Sequence, residues 1–344
     1  NRDLDLALSN LHNHMALTGK NVTEGGKTNV QIYNSVNRCM ELLNENQHKK
    51  KANTLVSVII PTFRRDNDLK NALASLKSQD YPQIEIIVVD DNAEPIWNNI
   101  VKETIDTIGI EKIVYLKNES NIGPAASRNL GIKMSSGEYI TFLDDDDVYY
   151  PGKISNQLYN MILNEADFSI TEMDFLNEEG KISKRNRKRR FNAASIKQLH
   201  KYHIMYHLTG TSALMFKSNY IKEIGGFSEI DLGDEYYLVE KAILKGGKFI
   251  YLPFSGVVAK IHSKSEGLST GNRKISGEND LYKHKLQYFN ELTCNEKRYV
   301  TMRHYAVLGY VEIKRGNFVL SLTHLAKAFF IAPISFVDLI MQYI

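Results

Sequence analysis

Cysteine is nearly absent from this chain. Two occur among 344 residues, Cys39 and Cys294, far apart and without a CxxC spacing. That excludes a disulfide framework and a cysteine zinc site, and it fits a reducing compartment. Charge of one sign is lacking too. A formal net charge of +3 gives no argument for nucleic acid as a partner. No apolar run reaches the about 18 residues that a bilayer span requires. The nearest, 329–344, is broken by Pro333 and Asp338, which leaves at most a segment lying on a membrane surface. The chain starts at Asn1 rather than Met and shows no signal peptide, which leaves a lost leader as an alternative.

What is present is a 43% hydrophobic composition, enough to bury at least one full core. Residues 1–54 are polar, with helical spacing at Val30, Tyr33, Val36, Met40 and Leu43, and read as a helical N-terminal segment. From residue 55 short apolar strands alternate with helices. Strands are expected at 56–60, 84–89, 112–116 and 139–143, with helices at 66–78, 97–108 and 123–134 between them. Such alternation means an α/β fold with a mostly parallel central sheet flanked by helices. Beyond 150 the pattern is irregular, with strands at 166–171, 213–216, 249–252 and 256–261 and a helix at 232–244. From about 278 it is helical. The expected division is 1–54, then an α/β domain at 55–270 with a break near 150, then a helical region 271–344.

Ligands of open α/β sheets bind outside the carboxyl ends of the strands. Two acidic ends meet there: Asp90-Asp91, and the run Asp144-Asp145-Asp146-Asp147. Four consecutive carboxylates repel one another unless a cation neutralises them. Their oxygens suit a hard divalent ion such as Mg²⁺ or Mn²⁺. If the strand continues, Asp144 and Asp146 share one side; the competing reading is an acidic turn that caps the next helix. A nicotinamide dehydrogenase would need a glycine-rich turn after the first strand. Here that turn reads Pro61-Thr62-Phe63-Arg64-Arg65, so a bound diphosphate must be neutralised another way.

In order, the segments Val56-Ser57-Val58-Ile59-Ile60-Pro61-Thr62-Phe63, Val88-Val89-Asp90-Asp91, 121–129, 137–147, Gly225-Gly226-Phe227 and Asp234-Glu235 resemble a family 2 glycosyltransferase of the GT-A fold, over about 55–269. The resemblance implies an inverting enzyme that moves a sugar from a nucleotide-diphosphate donor, usually a UDP-sugar, to an acceptor hydroxyl. A hexosyl or N-acetylhexosaminyl group would pass to a glycan, lipid-linked or polymer acceptor in cell-envelope polysaccharide synthesis. The resemblance also implies that 55–270 is the catalytic domain, 55–150 its nucleotide-binding half and 151–270 its acceptor half.

By position, Asp91 contacts the base, and Pro61, Thr62, Arg65, Arg128 and Asp145 line the donor site. The metal motif, a DXD motif, falls on Asp144-Asp145-Asp146, with Asp146 holding Mn²⁺ or Mg²⁺. His262 stands where family members carry a histidine that reaches the metal or diphosphate. The general base is a carboxylate at a helix start. The family's Glu-Asp order is reversed here, and the count to Lys241 puts Glu235 in that slot, with Asp234 the alternative.

A catalytically inactive sugar-nucleotide-binding or scaffold domain is the competing function. A nucleotidyltransferase would carry a glycine-rich, basic first loop, and a glycosidase has no need of a nucleotide crevice. A cytoplasmic place follows, with peripheral contact at the inner face of the membrane or a homo-oligomer contact through the tail as further expectations. The basic run Lys181, Lys184, Arg185, Arg187, Lys188, Arg189 and Arg190 reads as a solvated loop or as a grip on acceptor phosphate.

Overall fold

The computed structural model describes residues 53–177, 179–184, 195–230, 233–261 and 271–341. The N-terminal helical segment, His262 and Arg185–Arg190 of the basic run therefore lie outside the described residues. The first half alternates as its periodicity dictates: β1 (Val56–Thr62), α1 (Asn67–Lys77), β2 (Ile84–Asp90), α2 (Pro95–Ile108), β3 (Ile113–Lys117), α3 (Pro124–Met134) and β4 (Tyr139–Phe142). Every residue of β1 and β4 is buried, whereas edge strand β3 alternates half-buried and exposed. Helix α1 turns Leu69, Ala72, Leu73 and Leu76 inward, the i, i+3, i+4, i+7 stripe of a helix covering one sheet face.

The second half contains β5 (Val148–Tyr149), α4 (Lys153–Leu163), β6 (Phe168–Leu176), β7 (Ile182–Lys184), α5 (Ile196–Tyr206), β8 (Leu214–Lys217), α6 (Ser218–Glu223), α7 (Asp234–Leu244) and β9 (Phe249–Lys260). Among the described residues one nine-stranded sheet runs β3-β2-β1-β4-β8-β6-β9-β5, with β7 beside β6. β1 to β4 pair in parallel, and β8 enters antiparallel between β4 and β6. The two strands expected at 249–252 and 256–261 are a single strand. Its ladder with β6 skips from Leu252 to Ser255, because Pro253 has no N–H to donate and is carried in a bulge.

The chain ends in α8 (Gly271–Leu286), α9 (Cys294–Lys314), α10 (Phe318–Ile331) and α11 (Pro333–Met341). Thr293 and Glu296 form a capping box that fixes the start of α9. The tail does not bury its apolar side chains as an amphipathic hairpin would. Val319, Phe330 and Ile334 are 84%, 78% and 81% exposed, and α10 and α11 meet at a 119° bend. No single described helix is long and apolar enough to cross a membrane.

Candidate active site

The carboxyl ends of β1, β2 and β4 lie side by side in the sheet, and Arg128 bonds the turn after β4 to the start of α7. Strand β4 ends at Phe142, before the aspartates. The N–H of Asp147 donates to the carbonyl of Asp144 at 3.0 Å, so the four acids occupy a turn. Asp144 and Asp146 consequently do not share a strand face.

Each aspartate has its own cation or donor. Asp144 Oδ1 receives Arg128 Nη2 at 2.6 Å. Asp145 Oδ2 accepts from Thr62 Oγ1 at 2.8 Å and from the Phe63 N–H at 3.2 Å, with Arg65 Nε 3.8 Å from Oδ1. Asp146 Oδ2 receives Arg65 Nη2 at 3.1 Å. Asp147 is buried, taking Ser212 Oγ at 2.7 Å and the Lys260 N–H at 3.3 Å. Ser212 Oγ also accepts the Asp144 N–H at 3.1 Å. Asp147 thus ties the turn to β9 and to the segment before β8; it caps no helix, since the N-cap of α4 is Gly152.

Burial, then the charge of Asp146, pushes Asp145 up to about 7 against the Thr62 and Arg65 contacts. Burial and Asp144 raise Asp147 well above the carboxylate range. Negative charge is therefore in excess at this turn, and a divalent ion would relieve it. The donor set fits such an ion: hard carboxylate oxygens, half-exposed at Asp144 and facing Arg65 at Asp146. Among the described residues no three acidic or imidazole groups converge on one point, so diphosphate oxygens and water would have to complete the shell.

Arg128 joins the two sides. It is 6% exposed and reaches Asp144 with one nitrogen and Asp234 Oδ2 with the other, at 2.9 Å. Burial lowers its pKa, but Asp144 and Asp234 outweigh that and hold it above the ordinary guanidinium value. Its Nε has no hydrogen-bond partner among the described residues. Asp234 and Glu235 open α7, where negative charge meets the helix dipole. Burial, and next the neighbouring Asp234, push Glu235 up to about 8. The Nζ of Lys241, nearly two turns on, donates to the Gly226 carbonyl, and Asn129 clamps Phe227 through both its N–H and its carbonyl, at 2.8 and 2.9 Å. Gly226 needs to be glycine: its φ is +59° and a Cβ would lie 2.5 Å from Asn129 Oδ1.

Asp91 is 3% exposed, and its carboxylate is engaged within the protein. Oδ1 accepts Asn118 Nδ2 and the Ile122 N–H, both at 2.8 Å, and Oδ2 accepts the Gly123 N–H at 2.9 Å. It therefore shapes the loop that starts α3, with one oxygen carrying a single bond and able to accept another. Pro61 and Thr62 end β1 under Asp145. Two further residues fix the shape of this region: Asp90, the other acid of the second strand end, anchors Asn92, Asn98 and Tyr115, and Ser212, just before β8, holds two of the aspartates.

Residues 57–223 match the glycosyl transferase family 2 domain. A Rickettsia felis protein named an uncharacterized glycosyltransferase is 40% identical over 128 residues, 37% of this chain and 21% of its own length. The GalNAc(5)-diNAcBac-PP-undecaprenol beta-1,3-glucosyltransferase of Campylobacter jejuni is 35% identical over 130 residues, 38% and 41% of the two chains. The match thus spans about a fifth to two fifths of these relatives. Among solved structures, Staphylococcus aureus TarS 1–349 in complex with UDP-GlcNAc superposes with a TM-score of 0.55 at 17% identity, covering 79% of this chain and 89% of that one. The Pyrobaculum calidifontis mannosyltransferase PcManGT, in complex with GDP-Man and Mn²⁺, gives 0.54 at 14% identity, covering 80% and 86%. At these identities the likeness is one of fold. With the ordered motifs and the acidic turn they build, the chain carries, over residues 57–223, a family 2 glycosyltransferase domain of the GT-A fold.

Proposed function

We propose that this protein is an inverting glycosyltransferase that moves a hexosyl or N-acetylhexosaminyl group from a UDP-sugar to an acceptor hydroxyl. The observation that carries this reading is Arg128, which spans from the metal-motif aspartate Asp144 to the helix-opening pair Asp234-Glu235. Donor-holding and base-bearing carboxylates are thereby joined by one cation. Asp91 stands at the base end of the donor, where the oxygen carrying one bond can accept a nucleobase N–H. Thr62, Arg65 and Asp145 line the ribose and diphosphate, with Arg128 behind. Asp146, with Asp144 beside it, would hold Mn²⁺ or Mg²⁺, which when bound stabilises charge on the departing diphosphate. His262 is a further ligand on the strength of sequence position alone.

Glu235 takes the proton from the acceptor hydroxyl. A base whose pKa lies near the working pH combines availability with driving force, and Glu235 at about 8 meets that condition better than an ordinary carboxylate. Asp234, fixed by Arg128, keeps Glu235 basic through its charge. The C. jejuni relative is named for a beta-1,3-glucosyl transfer to GalNAc(5)-diNAcBac-PP-undecaprenol, which favours a lipid-linked envelope glycan as the acceptor here; we place the chain in the cytoplasm, in peripheral contact with the inner face of the membrane. The exposed apolar side chains of α10 and α11 supply a surface for that peripheral contact, or for a second copy of the chain.

Nucleotide release across a panel of UDP-sugars with Mn²⁺ tests this against an inactive binding domain. Release with at least one donor is expected. Binding of UDP-sugars without release, with or without glycan acceptors, would establish the inactive reading.

A further inference from the structure

The geometry points to an anion site on the acceptor side of α7, built by His207, Lys285 and Arg303, that takes a phosphate or diphosphate carried by the acceptor. Three elements meet there. His207 ends α5, Lys285 comes from α8 and Arg303 from α9. Lys285 Nζ and Arg303 Nη1, the latter at 2.8 Å, both point their hydrogens at one atom, His207 Nε2. That nitrogen has one lone pair, while an ammonium and a guanidinium bring eight donor hydrogens between them. Lys285 is 3% exposed, and no carboxylate lies within ion-pair distance of it or of Arg303 among the described residues. The nearest acids are already taken. Glu240 accepts from His200 at 3.2 Å and His284 at 2.5 Å, and Glu278 pairs with His304 at 3.4 Å.

The ring of Tyr236, the residue after the base candidate Glu235, packs against both His207 (5.1 Å between centroids) and Lys285 Nζ (5.3 Å). Tyr236 is 1% exposed, and its hydroxyl has no hydrogen-bond partner among the described residues. Donors thus exceed acceptors in a buried place, which is costly unless a ligand with several acceptor oxygens completes it. His207 also holds φ at +56°, a conformation that side-chain-bearing residues adopt only when something fixes it. His207 and Arg303 are half-buried, so the group opens to solvent on their side. The short link from His207 to Ser212 leads directly to the aspartate turn, with Ser212 bonded to Asp147. A phosphate bound here would leave the acceptor's sugar hydroxyl near the start of α7. Burial and Arg303 lower Lys285 to about 7, and a bound anion would restore its charge.

The inference rests on reading the start of α7 as the acceptor side of a transferase, but its test needs no turnover. Inorganic pyrophosphate is titrated calorimetrically into the full chain without metal, and into the Arg303→Gln, Arg303→Lys and Lys285→Met variants. Binding to the parent chain is expected, weakened about 10- to 100-fold in Arg303→Gln and Lys285→Met and largely kept in Arg303→Lys. If Lys285→Met fails to fold by circular dichroism, the two Arg303 variants carry the test. UDP should not displace the anion. Absence of binding, loss of it on adding UDP, or equal binding in every variant overturns the site. Farnesyl diphosphate and glucose 1-phosphate, titrated in parallel, decide the source: preference for the first indicates a lipid carrier, for the second a soluble phosphosugar.

Discussion

Two regions of the molecule follow opposite electrostatic designs. In the acidic region, at β1 and β4, carboxylates outnumber their cations, and Asp145 and Asp147 are pushed upward by burial and by one another's neighbours. In the donor-rich region, where α5, α8 and α9 meet, hydrogen-bond donors outnumber acceptors, and His207 and Lys285 are pushed downward. Arg128 ties the first to the start of α7, as the one described cation bonded to both Asp144 and Asp234. On the proposed reading each region is completed from outside: the acidic one by a cation that carries a diphosphate donor, the donor-rich one by the phosphate of an acceptor.

The largest effect should come from the start of α7. Glu235→Gln should lower transfer by about 10²–10⁴-fold while UDP-sugar affinity, read by titration, stays near the parent value. If Asp234→Asn shows that loss and Glu235→Gln does not, the base assignment moves one residue. Next in size is Arg128→Met, which strands Asp144 and the buried Asp234. Denaturant unfolding should show a loss of about 3–5 kcal/mol. A loss below about 1 kcal/mol would mean that the aspartate turn and the start of α7 are not coupled through this residue.

The smallest effect is in pH. Glu235 at about 8 predicts that kcat/KM rises with pH to a plateau beyond about 8, and Asp234→Asn should move that rise to lower pH by removing the charge that raises it. Stability should run the other way. Asp145 and Glu235 both bind protons more tightly folded than unfolded, so they stabilise below about pH 4 and their contribution is lost as pH rises through 7 and 8. Glu240, held at about 2 by its two histidines against burial, opposes this at acidic pH, and His203, His207 and Lys285, pushed down by burial, oppose it up to neutral pH and above. The difference in thermal midpoint between the parent chain and Glu235→Gln, measured without ligand from pH 5 to 8.5, isolates the Glu235 contribution and checks its sign.

The acidic region was readable in the sequence because local pattern builds it. β1, α1, β2 and α3 each follow from their own periodicity, and the acids sit at strand ends. What the sequence does not contain is who faces whom. Arg128 meets a carboxylate 106 positions on, and the aspartates divide between Arg128 and Arg65 only because β4 stops at Phe142. Asp91 looks like a donor contact in the linear motif, while its part in shaping the loop before α3 depends on N–H groups some 30 residues away. The donor-rich region was not foreseen. Lys285 and Arg303 are unremarkable helix residues until α8 and α9 pack against the end of α5. Pro253 hid a continuous strand for a local reason, its missing N–H.

The claim that the acidic region holds a nucleotide diphosphate through a divalent ion is tested most directly by thermal shift with UDP and UDP-sugars, with and without Mn²⁺, on the parent chain and on Asp146→Asn. A ligand-induced rise in midpoint that requires Mn²⁺ and disappears in Asp146→Asn is the predicted result. Equal stabilisation without the ion, or in Asp146→Asn, would contradict it.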